Sequence, residues 1–155
     1  MMFGGSVLVE VLHPAPGIKY YADYPAQSTQ FINNLSLVLK LTYGKSSFLF
    51  GGDLYTSGEK EVVGRYGDRL RSDVFKVGHH GDDTSSTKAY REAISPKIAV
   101  MMHDGIADLN VYRKYRREGT TVYHTCVDGC VSVSTTGDGD YTVLTQYDRK
   151  NDFLN

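Results

Sequence analysis

Two stretches of this chain share one plan, and that plan narrows the folds open to it. Residues 48–53 (FLFGGD) and 75–86 (FKVGHHGDDTSS) each begin as a short apolar run that stops abruptly at glycine. A run of that kind reads as a buried strand, and the glycine as the turn by which the chain leaves the sheet. Each turn then presents a reactive side chain: Asp53 in the first, His79 and His80 in the second. Strand ends are rigid. A carboxylate and an imidazole on neighbouring strand ends can therefore be held closely enough to share a cation, which a pair on loose loops cannot easily do.

Residues 6–12 (SVLVEVL) predict a strand that stops at His13-Pro14, because proline donates nothing to a ladder and disfavours helix before it. From 14 to 34 the composition turns to Pro, Gly, Tyr, Gln and Ser, which predicts a long loop. Residues 35–42 and 47–51 predict a hairpin around Tyr43-Gly44-Lys45. Thr56 and Glu59 are spaced as a capping box and predict a helix running to about Tyr66. Strand 73–77 follows, then a helix over 86–94 capped by Ser85 or Ser86, strand 97–102, and a helix over 108–118 with Asp108 as its N-cap and Gly119 as its stop. Strands near 120–124, 130–134 and 140–146 complete the chain. Strand-helix-strand alternation through the middle argues for an α/β layer arrangement.

Composition removes several classes. A chain of 155 residues, 41% apolar and 23% charged, fits one globular domain and excludes a largely disordered one. No stretch approaches the ~18 to 20 apolar residues of a spanning helix, and MMFGGSVLVEV lacks the basic start and long apolar centre of a signal peptide, so a cytoplasmic location is the default expectation. A net charge of −1 makes no whole-chain case for nucleic acid. The basic run RKYRRE (113–118) is most simply the solvated face of its helix. Cys126 and Cys130 read as ordinary thiols, with a local disulfide as the alternative. His13 and His124 read as structural residues at strand ends, and His103 as either a turn residue or a neighbour of the site.

In order along the chain, NNLSLVLKL, FLFGGD, FKVGHHGDDTSS, a strand ending near MMH, a helix ending REG and TVYHTCVDGCVSV together resemble the C-terminal half of a metallo-β-lactamase-fold hydrolase. Within that family the resemblance is to the branch containing the hydrolase domain of the bacterial DNA-uptake protein ComEC and its free-standing relatives. It covers roughly residues 7–146. It implies an α/β fold with one β-sheet plus a helix layer, the second half of an αββα sandwich, formed by residues 1–155 as a single half-domain. It also implies a divalent metal, zinc or manganese, with Asp53 and His79 as metal ligands and His80 as a substrate-side or proton-shuttling group. Asn33 and Asn34 stand where other branches carry a further histidine ligand, and asparagine is a poor substitute for imidazole.

One departure from the family matters most. The histidine-x-histidine-x-aspartate-histidine run that supplies most ligands of the first metal is missing, so a complete two-metal site cannot be built from this chain. The resemblance thus implies part of a metal-dependent phosphodiesterase or nuclease-like hydrolase, with low activity alone. The rival reading is a non-catalytic interaction module. A half-sandwich would leave one apolar sheet face open, which predicts a homodimer through that face or pairing with a partner half.

Overall fold

The computed structural model describes residues 1–3, 6–16 and 24–149. Met2–Phe3 (β1), Val7–His13 (β2), Val38–Tyr43 (β3) and Ser46–Phe50 (β4) run as an antiparallel meander. Val74–Lys76 (β5), Ile98–Met101 (β6) and Thr121–His124 (β7) then add to β4 in sequence order, each parallel to the last, giving a seven-stranded mixed sheet. The parallel steps are bridged by helices: Thr56–Tyr66, Lys88–Ile94 and Leu109–Arg117. With the short Thr29–Asn33 helix numbered α1, these are α2, α3 and α4. Right-handed crossovers that all step in one direction lay their helices on one face of the sheet.

That face holds the core. Cross-strand register aligns Leu49 with Phe75, Phe75 with Ala99 and Ala99 with Val122, and all of them are buried. Val62 of α2, Tyr90 and Ile94 of α3, and Val111, Tyr112 and Tyr115 of α4 join them in one apolar cluster. Phe75 sets its ring edge-on to Tyr90 at a centroid distance of 5.9 Å, the arrangement that aromatic quadrupoles favour.

The opposite face corrects the expectation of a single sheet. Val131–Ser134 (β8) and Thr142–Thr145 (β9) pair with each other as a separate two-stranded sheet. The tip of this hairpin is fastened to the β3–β4 turn: Lys45 N donates to Gly137 O at 2.8 Å, Gly139 N to Ser46 Oγ at 3.2 Å, and Ser47 N to the Tyr141 hydroxyl at 2.9 Å. Between hairpin and main sheet lies an apolar cleft of about 200 Å³ whose walls include Phe48, Val74, Val100, Met102, Val131 and Val133. Val74 is only 5% exposed, yet Val11 remains 58%, Leu37 51% and Phe50 41% exposed, so the hairpin roofs part of the face and leaves the rest open.

Three local expectations are also corrected. The long loop predicted over 14–34 contains α1, and residues 17–23 of it lie outside the described residues. The capping box at Thr56 is not formed: Tyr55 occupies the N-cap without a side-chain bond, and the Asn34 Oδ1 accepts from Tyr55 N at 3.1 Å and Gly58 N at 3.0 Å instead. A Cβ at Gly58 would meet that same oxygen at 2.7 Å, which accounts for a glycine inside a helix. Helix α3 is capped by Thr87, which accepts from Tyr90 N, and not by Ser85 or Ser86. Asp108 does cap α4, receiving Asn110 N at 2.6 Å and Val111 N at 2.9 Å. Among the described residues no helix is long and apolar enough to cross a membrane.

Candidate active site

Parallel strands β4 to β7 all end at one edge of the sheet, and every residue with acid/base or ligand chemistry singled out in this part of the sequence stands there. Asp53 follows β4, His79 and His80 follow β5, His103 follows β6, and His124 ends β7. In open α/β sheets this edge is where ligands bind.

The turns that carry these groups pack on each other. After β4, Gly52 takes φ +60°, and a Cβ there would meet Ser36 Cβ at 2.6 Å, so only glycine fits. Gly52 O accepts from His79 N at 3.0 Å, and Ser36 Oγ accepts from Asp53 N at 3.0 Å. The first turn is thus tied to the second. After β5 the backbone enters a left-handed turn in which His79 has φ 44° and His80 φ 58°. Two consecutive non-glycine residues in that region cost of order 1 kcal/mol or more each, a cost met at sites that need a side chain aimed in one direction.

Asp53 Oδ2 lies 3.8 Å from His80 Nε2, and Asp53 Oδ1 lies 3.9 Å from Lys76 Nζ. His80 Nδ1 is 2.7 Å from the Met102 carbonyl oxygen, which can only accept, so Nδ1 carries the proton. In neutral His80 the Nε2 lone pair therefore faces the Asp53 carboxylate. Two acceptor atoms 3.8 Å apart leave room for a cation: donors each about 2.1 Å from one ion can be at most about 4.2 Å apart. Burial holds the Lys76 ammonium below the ordinary lysine range, and Asp53 pulls it back up.

His79 sits beside this pair and looks elsewhere. Its Nδ1 is 2.7 Å from Thr84 Oγ1, its Nε2 is 3.4 Å from Asn33 Nδ2, and its ring tilts over Tyr55 at 4.8 Å. Thr84 gives both its hydroxyl and its backbone N–H to Asp82 Oδ1, at 2.7 and 2.9 Å, and these bonds lower the Asp82 pKa below the usual aspartate value. Of the two asparagines, Asn33 thus touches the site while Asn34 serves helix α2.

His103 completes the row, its ring 5.7 Å from that of His80. Its backbone is clamped to Thr125, whose hydroxyl accepts from His103 N and donates to His103 O, both at 2.9 Å. His13 and His124 are both buried structural residues: His13 Nδ1 bonds the Ser36 carbonyl at 2.8 Å, and His124 Nδ1 accepts from Cys126 N at 3.2 Å. Burial, helped by His103, lowers the His124 pKa. Cys126 and Cys130 are free and exposed. Among the described residues no group of three or more His, Cys, Asp and Glu side chains converges as a ready metal cage.

Sequence reasoning missed Thr84, Asp82, Lys76 and Glu59. Glu59 is buried on α2, where Oε1 accepts from Ser86 N at 2.6 Å and Oε2 from Thr87 N at 2.8 Å, so a carboxylate twenty-odd residues upstream holds the far end of the histidine loop. No signal in the sequence links these positions. Thr84 and Asp82, by contrast, lie within FKVGHHGDDTSS itself and could have been weighed as partners of its histidines.

No family model matches the chain. Over 68 residues it is 46% identical to the competence protein ComA of Neisseria gonorrhoeae, a stretch that is 44% of this chain and 10% of that protein. Over 69 residues it is 39% identical to ComE operon protein 3 of Bacillus subtilis, 44% of this chain and 9% of that protein. Over 111 residues it is 28% identical to Recombination protein 2 of Haemophilus influenzae, 68% of this chain and 14% of that protein. Each match therefore spans 14% or less of the relative's length. The chain is similar to competence proteins, over a small part of them.

Proposed function

We propose that this chain is the C-terminal part of a metal-dependent hydrolase of metallo-β-lactamase-like fold, that it acts on phosphodiesters such as nucleic acid, and that it serves competence, as the names of its relatives suggest. The observation that carries this reading is the Asp53–His80 pair, a carboxylate and an imidazole lone pair facing each other at 3.8 Å. Asp53 and His80 would be the first donors, and His79 a third once its Nε2 exchanges Asn33 for the ion. Zinc or manganese would be the ion, since imidazole suits zinc and carboxylate suits either.

A bound ion of this kind supplies hydroxide at neutral pH and charge for a phosphoryl oxygen. The chain's own residues would do the rest. Met102 O fixes the His80 ring, the Lys76 ammonium beside Asp53 would face an anionic substrate, and His103 stands next in the row, its ring 5.7 Å from that of His80. With the first-metal histidine run missing from the sequence, the donors present favour weak binding of one ion over a complete pair.

Isothermal titration of the chain with Zn²⁺ and with Mn²⁺ tests this directly. Binding should be measurable and should vanish in Asp53→Ala with the far-UV spectrum unchanged. A chain that takes up neither ion, or takes them up equally well without Asp53, ends the metal reading.

A second reading draws on the open sheet face. Val11, Leu39 and Phe50 share one row of the register, and Val11 and Phe50 are well exposed. A non-catalytic module that pairs with its own copy through this face would bury that row, and exposed apolar surface of this kind favours association.

A further inference from the structure

Thr84 makes two hydrogen bonds through one oxygen, and a hydroxyl has one proton. Thr84 Oγ1 donates that proton to Asp82 Oδ1 at 2.7 Å. The 2.7 Å contact to His79 Nδ1 must then be one in which the threonine oxygen accepts, so the proton between them belongs to the imidazole. We propose that Asp82 and Thr84 are positioning residues for His79: the chain carboxylate–hydroxyl–imidazole locks His79 in its Nδ1–H tautomer and leaves Nε2 as the lone-pair nitrogen, beside Asn33.

One further contact agrees with this polarity, and others hold the loop that carries the relay in place. Asn33 Nδ2, an amide donor, stands 3.4 Å from His79 Nε2, where it meets a lone pair and would clash with an N–H. Thr84 is itself held from behind, its carbonyl accepting from Thr56 N at 3.1 Å. The end of the same loop is fixed by Glu59 through Ser86 N and Thr87 N. His80 reaches the same tautomer by a different partner, the Met102 carbonyl. Two adjacent imidazoles thus keep Nε2 unprotonated through independent supports. A ligand histidine is commonly oriented by such an outer partner, and here the partner is a relayed carboxylate instead of a direct one. The purpose of the device rests on the metal reading above; its geometry does not.

Long-range ¹H–¹⁵N spectra of the ¹⁵N-histidine-labelled chain at pH 8 read each tautomer separately. Wild type should show the Nδ1–H pattern at both His79 and His80. Thr84→Val, which keeps the shape and removes the hydroxyl, should lose that pattern at His79 alone, Asp82→Ala should weaken it, and Thr84→Ser should restore it. His80 serves as the internal control for an intact loop. An Nε2–H pattern at His79 in wild type, or an Nδ1–H pattern that survives in both Thr84→Val and Asp82→Ala, overturns the assignment. Adding Zn²⁺ to the same samples tests the metal reading by itself: if the ion leaves both imidazoles undisturbed while Thr84→Val still changes His79, the metal reading fails and the relay stands.

Discussion

Glu59 Oε1 receives the backbone N–H of Ser86 at 2.6 Å, in the interior between α2 and the loop that carries the histidines. With Oε2 bound to Thr87 N, one carboxylate satisfies a buried donor and a half-buried one. Replacing Glu59 by Ala leaves the buried Ser86 N–H without an acceptor, at about 1 to 3 kcal/mol, so a loss of roughly 2 kcal/mol is expected in urea unfolding. A loss under 1 kcal/mol would mean that water takes over the role.

The same residue sets a pH dependence. Burial raises the Glu59 pKa above the usual value of 4.5, although the N–H groups of Thr87 and Ser86 oppose it. The folded chain then keeps this proton to a higher pH than the unfolded chain does. Its contribution is full below about pH 4.5 and is lost as pH rises through the folded pKa. Urea midpoints of wild type and Glu59→Gln across pH 4 to 7 should diverge in that direction; parallel curves would refute it.

Asn34 should behave as a cap supplied from outside its helix. Asn34→Ala removes the acceptor for Tyr55 N and Gly58 N at the start of α2, and a lost cap costs about 1 to 2 kcal/mol. Gly58→Ala should destabilise the fold for the complementary reason, because its Cβ would lie 2.7 Å from that oxygen. Thermal unfolding of both variants checks the pair, and a Gly58→Ala protein as stable as wild type would contradict the packing.

Hydrolysis by the chain alone should be slow. With Mn²⁺ or Zn²⁺ added, turnover of bis(p-nitrophenyl) phosphate should stay below ~1 s⁻¹, the lower end of ordinary enzyme rates. Faster turnover would show that the donors on these strand ends suffice without the missing histidine run.

Association through the open face is testable by sedimentation equilibrium at micromolar concentration. A species of twice 17.2 kDa is expected, and Phe50→Asp together with Val11→Asp should return it to the monomer. A wild-type monomer across the whole concentration range would dismiss the self-pairing idea.

How much of this was legible in advance differs by distance along the chain. Apolar runs gave the strands from β2 to β9 nearly in place, because burial on a pleated sheet is written locally in each run. Cap assignments fared worse. Thr56 and Glu59 have the spacing of a capping box, yet Asn34 reaches the helix end from the close of α1, two strands upstream, and Glu59 is drawn away to Ser86 and Thr87. Such competition between near and far partners is decided by tertiary packing, which spacing does not encode. Asp53, His79 and His80 could be singled out because each follows an apolar run and a glycine. That Asp53 faces His80 while His79 faces Thr84 and Asn33 depends on the left-handed backbone at 79 and 80, which non-glycine residues rarely announce.

That left-handed turn also says how this molecule would respond to engineering. Glycine adopts such angles freely, so His79→Gly or His80→Gly would relax a strained backbone, and a screen for thermal resistance would select these positions wherever that relief exceeds the entropy glycine adds to the unfolded chain. Every such gain would delete an imidazole from the strand-end edge. Robustness and chemistry compete here for the same two residues, and a hardier descendant of this chain would be an emptier one.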